Sequence, residues 1–217
     1  MKDVACIDVW GSVRDERHAL LADLEALRPE QWATPSLCAG WAVRDVVAHL
    51  VAGVEAGGPA LVLALARSGF RLNHMLDVDA RRRGRHHTPD TLLAAFRGIV
   101  GSEHTPPATR PWQMLSDTML HGQDIRRPLG LRRDFPADRV VTVMTRLAPL
   151  NPILGVRRRI AGLRLRATDV DWSHGDEGPV VAGPGEALMM AMAGRSAALI
   201  DLDGEGVSTL RLRLLSG

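Results

Sequence analysis

The chain has 217 residues, 46% hydrophobic and 24% charged, which is the balance of an ordinary globular protein able to bury a core without staples. A formal net charge of +2 announces no nucleic-acid partner, and the two cysteines, Cys6 and Cys38, are too few for a disulfide framework or a Cys-rich zinc site. The longest apolar stretch, Pro59–Ala66, falls well short of the roughly 20 residues that cross a bilayer. No signal-peptide pattern is seen, so a cytoplasmic location without membrane contact is expected.

The first two-thirds reads as helices. Over Asp8–Leu27 the apolar positions Val13, Leu20, Leu21, Leu24 and Leu27 form a helical stripe, which Pro29 ends. A turn-rich link, Pro35 to Trp41, leads to a second helix starting near Val43, with Val46, Val47, Leu50, Val51 and Val54 on its apolar side. Gly57-Gly58-Pro59 interrupts it, and Leu61–Ala66 resumes the pattern. The run Arg81-Arg82-Arg83-Gly84-Arg85-His86-His87 reads as a solvated loop, since no aromatic residues are interleaved to serve a nucleic acid. Thr88-Pro89-Asp90 combines a capping hydroxyl, a first-turn proline and an early acid, and starts a third helix that runs to about Val100. A fourth helix spans about Trp112–Arg127, stopped by Pro128 and Gly130, and a shorter one follows over Ala137–Leu147.

After Arg157-Arg158-Arg159 the pattern changes. Leu163, Leu165 and Ala167 alternate with Arg164, Arg166 and Thr168, as in a half-buried strand. Leu210, Leu212 and Leu214 alternate with Arg211 and Arg213 in the same way, and Pro184–Ala193 reads as a helix closed by Gly194. The expected fold is α+β: a helical bundle over 1–150, then a small α+β domain over 151–217.

The fourth helix holds the most informative cluster. Asp117 and His121 are four apart and share a helical face, with Asp124 three further on. A carboxylate and an imidazole so spaced can converge on one metal ion, while Asp124 is better placed to orient His121 through its other ring nitrogen. His49 lies among core-type residues, where an imidazole needs a hydrogen bond or a ligand. A satisfied core histidine is the plain alternative. Together, His49, Asp117 and His121 are the set a bundle-core metal requires, and three protein ligands leave a position open for catalysis.

At this point a family resemblance emerges. The segment Pro35-Ser36-Leu37-Cys38-Ala39-Gly40-Trp41-Ala42-Val43-Arg44-Asp45-Val46-Val47-Ala48-His49-Leu50 resembles the signature of the mycothiol-dependent maleylpyruvate isomerase family, within the DinB-like superfamily of metal-binding four-helix bundles. Asp117 through Gly130 is similar to its second metal motif. Ala167-Thr168-Asp169, Trp172, Gly183-Pro184-Gly185 and Gly194-Arg195 resemble its C-terminal domain.

The resemblance implies an N-terminal DinB-like bundle in which His49, Asp117 and His121 bind a divalent metal, zinc above all, with Asp124 behind them. The donor set itself also accepts iron or nickel. Mycothiol is the implied thiol cosubstrate: the metal favours its thiolate, which attacks a small-molecule electrophile. In an isomerase the thiolate then leaves, and in an S-transferase it stays attached. Mycothiol is an actinobacterial thiol. In agreement, only Lys2 among the 27 basic residues is lysine and tyrosine is absent, as in a GC-rich bacterial genome. Two departures stand out: the isomerase has glutamate where this chain has Asp117, and Ala42 replaces the usual hydroxyl residue before the second helix.

Arg195 is the candidate anchor for an anionic group of substrate or thiol, with a structural role as the alternative. Cys38 reads as a small buried hydrophobe rather than a redox thiol. Trp41 and Trp112 read as bundle packing, either of them a candidate lining for a pocket beside the metal. The expected protein is a metal-dependent thiol enzyme, S-transferase or isomerase, with a homodimer as the assembly considered. The alternative is a non-catalytic metal-binding bundle in stress response or regulation.

Overall fold

A computed structural model describes residues 7–55, 57, 66, 69, 71–150 and 155–215. Cys6 and the helix expected to resume from Leu61 lie outside them. Two compact units emerge, one spanning Asp8–Arg132 and the other continuing from Arg133. Helix Ala137–Leu147, read above with the bundle, therefore groups with the C-terminal unit, because its apolar side packs on a later helix of that unit.

The N-terminal unit contains α1 (Val9–Glu25), a 3-10 turn (Pro29–Ala33), α2 (Val43–Glu55), α3 (Leu72–His86), α4 (Pro89–Ile99) and α5 (Pro111–Leu129). Local chemistry accounts for the helix starts. Asp8 caps α1 by accepting from the Gly11 N–H at 2.9 Å, and Thr88 caps α4 by accepting from the Thr91 N–H at 3.3 Å. Before α2, Ala42 offers no capping hydroxyl, but Asp45 reaches back to accept from the Ala42 N–H at 2.9 Å, which keeps the other half of a capping box. α2 lies at the centre of the unit, packed by α3, α4 and α5, and its Val43, Val46 and Val47 are fully buried.

Two sequence expectations are corrected here. The arginine run, from Arg81 to His86, is the last turns of α3 rather than a loop, and His87 is its extended C-cap. That helix has a thin apolar side, only Met75, Ala80 and Gly84 being buried, so hydrophobic periodicity misses it. Its support includes acid-to-arginine pairs four apart, Asp77–Arg81 and Asp79–Arg83, the latter at 2.9 Å. The second correction concerns Pro128, which does not stop α5: the helix runs on to Leu129 and ends at Gly130, whose φ of 68° is the left-handed cap glycine favours.

The C-terminal unit contains α6 (Ala137–Leu147), a short α7 (Val156–Ile160), β1 (Arg164–Ala167), β2 (Ser173–His174), β3 (Val180–Gly183), α8 (Gly185–Met192), a 3-10 turn (Ser196–Asp201) and α9 (Val207–Leu215). The sheet order is β2-β1-β3, with β1 antiparallel to β2 and parallel to β3 in the register Leu165↔Val181. Residues Ala187–Met192 of α8 are all fully buried, an all-round apolar helix packed against β1, β3 and α6. Asp169 caps its start, accepting from the Gly185 N–H at 2.7 Å.

The alternation at Leu210–Leu214 is helix α9, not a strand. Leu and Arg are strong helix formers, and Val207, Leu210 and Leu214 also fit a helical spacing. Leu210 is buried, Leu212 is exposed, and Arg213 donates to the carbonyls of Arg159 and Ala161 at 2.8 and 2.7 Å.

The tight spot between α2 and α3 is Gly84, where an added Cβ would lie 2.0 Å from Asp45 Oδ1. Gly84→Ala is expected to displace the Asp45 cap and destabilise the N-terminal unit by about 1–3 kcal/mol, the usual cost of overpacking, as read by urea denaturation.

Candidate metal centre

Four helical residues and one loop build the site, all within the N-terminal unit. α2 presents His49 on the side left by its valine stripe, and α5 presents Asp117 and His121 one turn apart. Asp117 Oδ1 lies 3.7 Å from His49 Nε2 and 3.5 Å from His121 Nε2, and the three donor atoms all fall within 4.8 Å of one another. These separations exceed the usual 2.7–3.2 Å of an N–H···O hydrogen bond. They approach the roughly 3.3–3.4 Å that separates tetrahedral ligands each about 2.0–2.1 Å from one cation. The residues present therefore fit a divalent metal. The His49 and His121 side chains are 13% and 14% exposed against 32% for Asp117, so solvent reaches the set from the carboxylate.

His121 is oriented from behind. Its Nδ1 lies 2.9 Å from Oδ2 of Asp124, which is fully buried. A carboxylate only accepts, so Nδ1 carries the proton and Nε2 turns its lone pair toward Asp117 and His49. Cys38, expected to be a buried hydrophobe, is half-buried, and its thiol donates to the same Asp124 oxygen at 3.1 Å.

Pro128 explains how that thiol arrives. Lacking an N–H, it cannot make the usual helical bond to the carbonyl four residues back, on Asp124. The Leu37 N–H takes that carbonyl at 3.1 Å and docks the 35–42 loop on α5. The loop is closed on itself by the Pro35↔Ala42 bridge, with Ser36 Oγ donating to the Trp41 carbonyl at 2.9 Å.

The docked loop lays Trp41 over the imidazoles. Its ring centroid lies 5.3 Å from that of His49, tilted by 55°, and 6.2 Å from that of His121, stacked at 19°. Trp41 is thus next to the donor set, as the sequence allowed.

Arg17 contributes charge. It is buried on α1, and its Nη1 donates to the carbonyls of Ile99 and Ser102 at 2.9 and 2.8 Å, tying off the end of α4. Burial lowers its pKa, and the negative charge of Asp117 works against that lowering. The chain gave a signal for it: Val13, Arg17, Leu20 and Leu24 share one helical stripe, so a guanidinium interrupts an apolar face. Asp77, on α3, was also missed, because that helix was not foreseen.

Arg195 belongs to the C-terminal unit, where its guanidinium donates to the Ala193 carbonyl at 2.9 Å. Burial first, and then the positive charges of Arg195 and Arg158, lower the pKa of Arg159, so these guanidinia share one neighbourhood.

Comparison with known proteins gives a family match for part of the N-terminal unit. Residues 13–103 match the family described as Mycothiol maleylpyruvate isomerase N-terminal domain. The resemblance holds over that segment. The segment includes His49 and ends before Asp117 and His121. Among solved structures, the mycothiol-dependent maleylpyruvate isomerase is similar with a TM-score of 0.65 and 15% identity, over 94% of this chain and 96% of that one. A second structure of that isomerase, with a histidine-to-alanine substitution, is similar with the same TM-score and coverage at 14% identity. The maleylpyruvate isomerase fold thus extends over both units. No curated protein sequence matches the chain.

Asp124→Asn keeps every donor of the His49, Asp117 and His121 set but weakens the hold on the His121 ring. It is expected to cut zinc affinity about 10–100-fold in chelator competition, with the far-ultraviolet circular dichroism unchanged.

Proposed function

We propose that this protein is a metal-dependent thiol enzyme that uses mycothiol to attack a small electrophile, as a maleylpyruvate-type isomerase or an S-transferase. One observation carries the reading: three metal-type donors from two helices meet in a bundle whose N-terminal segment matches the mycothiol maleylpyruvate isomerase domain. His49 Nε2, Asp117 Oδ1 and His121 Nε2 would hold the ion, with zinc the first choice for a His/His/carboxylate set. A divalent cation there would favour the thiolate of a thiol that ligates it.

The chain's own residues do the remaining work. Asp124 holds the proton of His121 on Nδ1 and so keeps Nε2 available. Trp41 covers the ring faces, which restricts water on that side. Asp117 is the exposed member of the set, so thiol and electrophile would approach from its side. Its carboxylate is one methylene shorter than the glutamate that the family resemblance implies at this position, which alters the room beside the ion for the electrophile. Arg195, with Arg159 nearby, is the proposed anchor for an anionic group of thiol or substrate.

Purified protein is expected to hold about one zinc per chain, and mycothiol is expected to bind to the zinc-loaded protein. His49→Ala should abolish both. A screen of small electrophiles with mycothiol should then show either a stable conjugate, the sign of transfer, or a rearranged substrate with thiol unchanged. Zinc uptake without any thiol binding would favour a non-catalytic metal-binding bundle instead.

A further inference from the structure

We infer that Asp77 is a positioning residue for the metal centre: it fixes the Trp41 indole, and the indole in turn sets the ring orientation of His49. The inference rests on the metal reading above and adds a residue from α3, a helix that supplies no donor to the set.

The two imidazoles are held differently. His121 has the Asp124 carboxylate on its second nitrogen. No hydrogen bond from any described residue orients His49. A metal-ligating histidine is ordinarily steered by a group on its other ring nitrogen, because a free imidazole turns about its side-chain bonds and its lone pair sweeps with it. Besides Asp117 Oδ1 at 3.7 Å from its Nε2, the described contacts of the His49 ring are with other rings: Trp41 at 5.3 Å between centroids, and His121 edge-on at 4.8 Å and 72°. The indole is the larger of the two, so its own orientation decides where His49 Nε2 points.

The indole is itself tied. Trp41 Nε1–H donates to Asp77 Oδ1 at 2.8 Å. The other Asp77 oxygen is engaged by Arg81, one helical turn on, so both carboxylate oxygens are committed and the aspartate cannot swing away without losing an ion pair. The Asp77 and Arg81 side chains are 31% and 38% exposed, so neither is needed as core filling. The path Arg81–Asp77–Trp41–His49 thus runs from the surface of α3 to a donor on α2.

The test uses the full chain loaded with cobalt(II), whose visible absorption reports ligand geometry, together with cobalt affinity by chelator competition. Asp77→Ala is expected to weaken cobalt binding about tenfold, the lower end of effects from groups that orient ligands, and to shift the absorption bands. Asp77→Asn, which keeps an oxygen acceptor, should restore both. Trp41→Phe, which keeps a ring but has no N–H, should match Asp77→Ala. The double variant should be no worse than either single change, since both cut one connection. Thermal melts of each variant separate this from general destabilisation, and Trp41→Phe carries the test if Asp77→Ala does not fold. Wild-type affinity and spectrum in Asp77→Ala, or multiplied losses in the double variant, would overturn the inference while leaving the metal reading intact. A wild-type chain that takes up no cobalt, or a His49→Ala chain that binds it equally well, would instead overturn the ligand assignment and this inference with it.

Discussion

The candidate site depends on one residue, Asp124, used twice. Its side chain accepts from His121 Nδ1 and from the Cys38 thiol through a single oxygen. Its main-chain carbonyl accepts from Leu37, a bond available because Pro128 cannot donate the helical one. Helix α5 therefore orients its own histidine and captures the loop that covers it. A proline inside a helix ordinarily costs stability; here the freed carbonyl has been given another donor, and that donor brings Trp41 with it.

The geometry divides labour between rigid and directed parts. The valine stripe of α2 and the buried face of α5 set the distance between His49 and the Asp117–His121 pair, because close-packed helices leave little freedom in their separation. Directed interactions then set ring angles: a carboxylate for His121 and an indole for His49. Arg17, whose burial alone would disfavour its charge, gains from the negative field of Asp117. Its hydrogen bonds to Ile99 and Ser102 keep that charge in place. Such an arrangement suits a centre that must hold a cation while leaving one side open.

Much of this was legible in the chain. The α5 donors are four apart on one helix, so the helical repeat alone brings them to one face, and His49 declares itself by sitting among valines. The turn signals at Thr88-Pro89-Asp90 and Gly130 mark real helix ends. Helix α3 was not legible by the same means: it buries only Met75, Ala80 and Gly84, and its acid–arginine pairs and the close approach of Gly84 to α2 are features hydrophobic periodicity does not register. The alternating Leu–Arg run of α9 misled for the opposite reason. Alternation over five residues is compatible with both periods, and the packing of a single leucine, Leu210, decides between them.

Residue type and spacing thus determined by themselves which groups are metal-type donors and which helices carry them, since both follow from covalent structure and the helical repeat. Tertiary structure decided that His49, 68 positions before Asp117, points at the same small volume. It also decided that Cys38 meets Asp124 and that Asp77 holds Trp41. These pairings join residues from separate elements, and their existence depends on how helices and a loop pack, a cooperative outcome that no local pattern in the chain encodes.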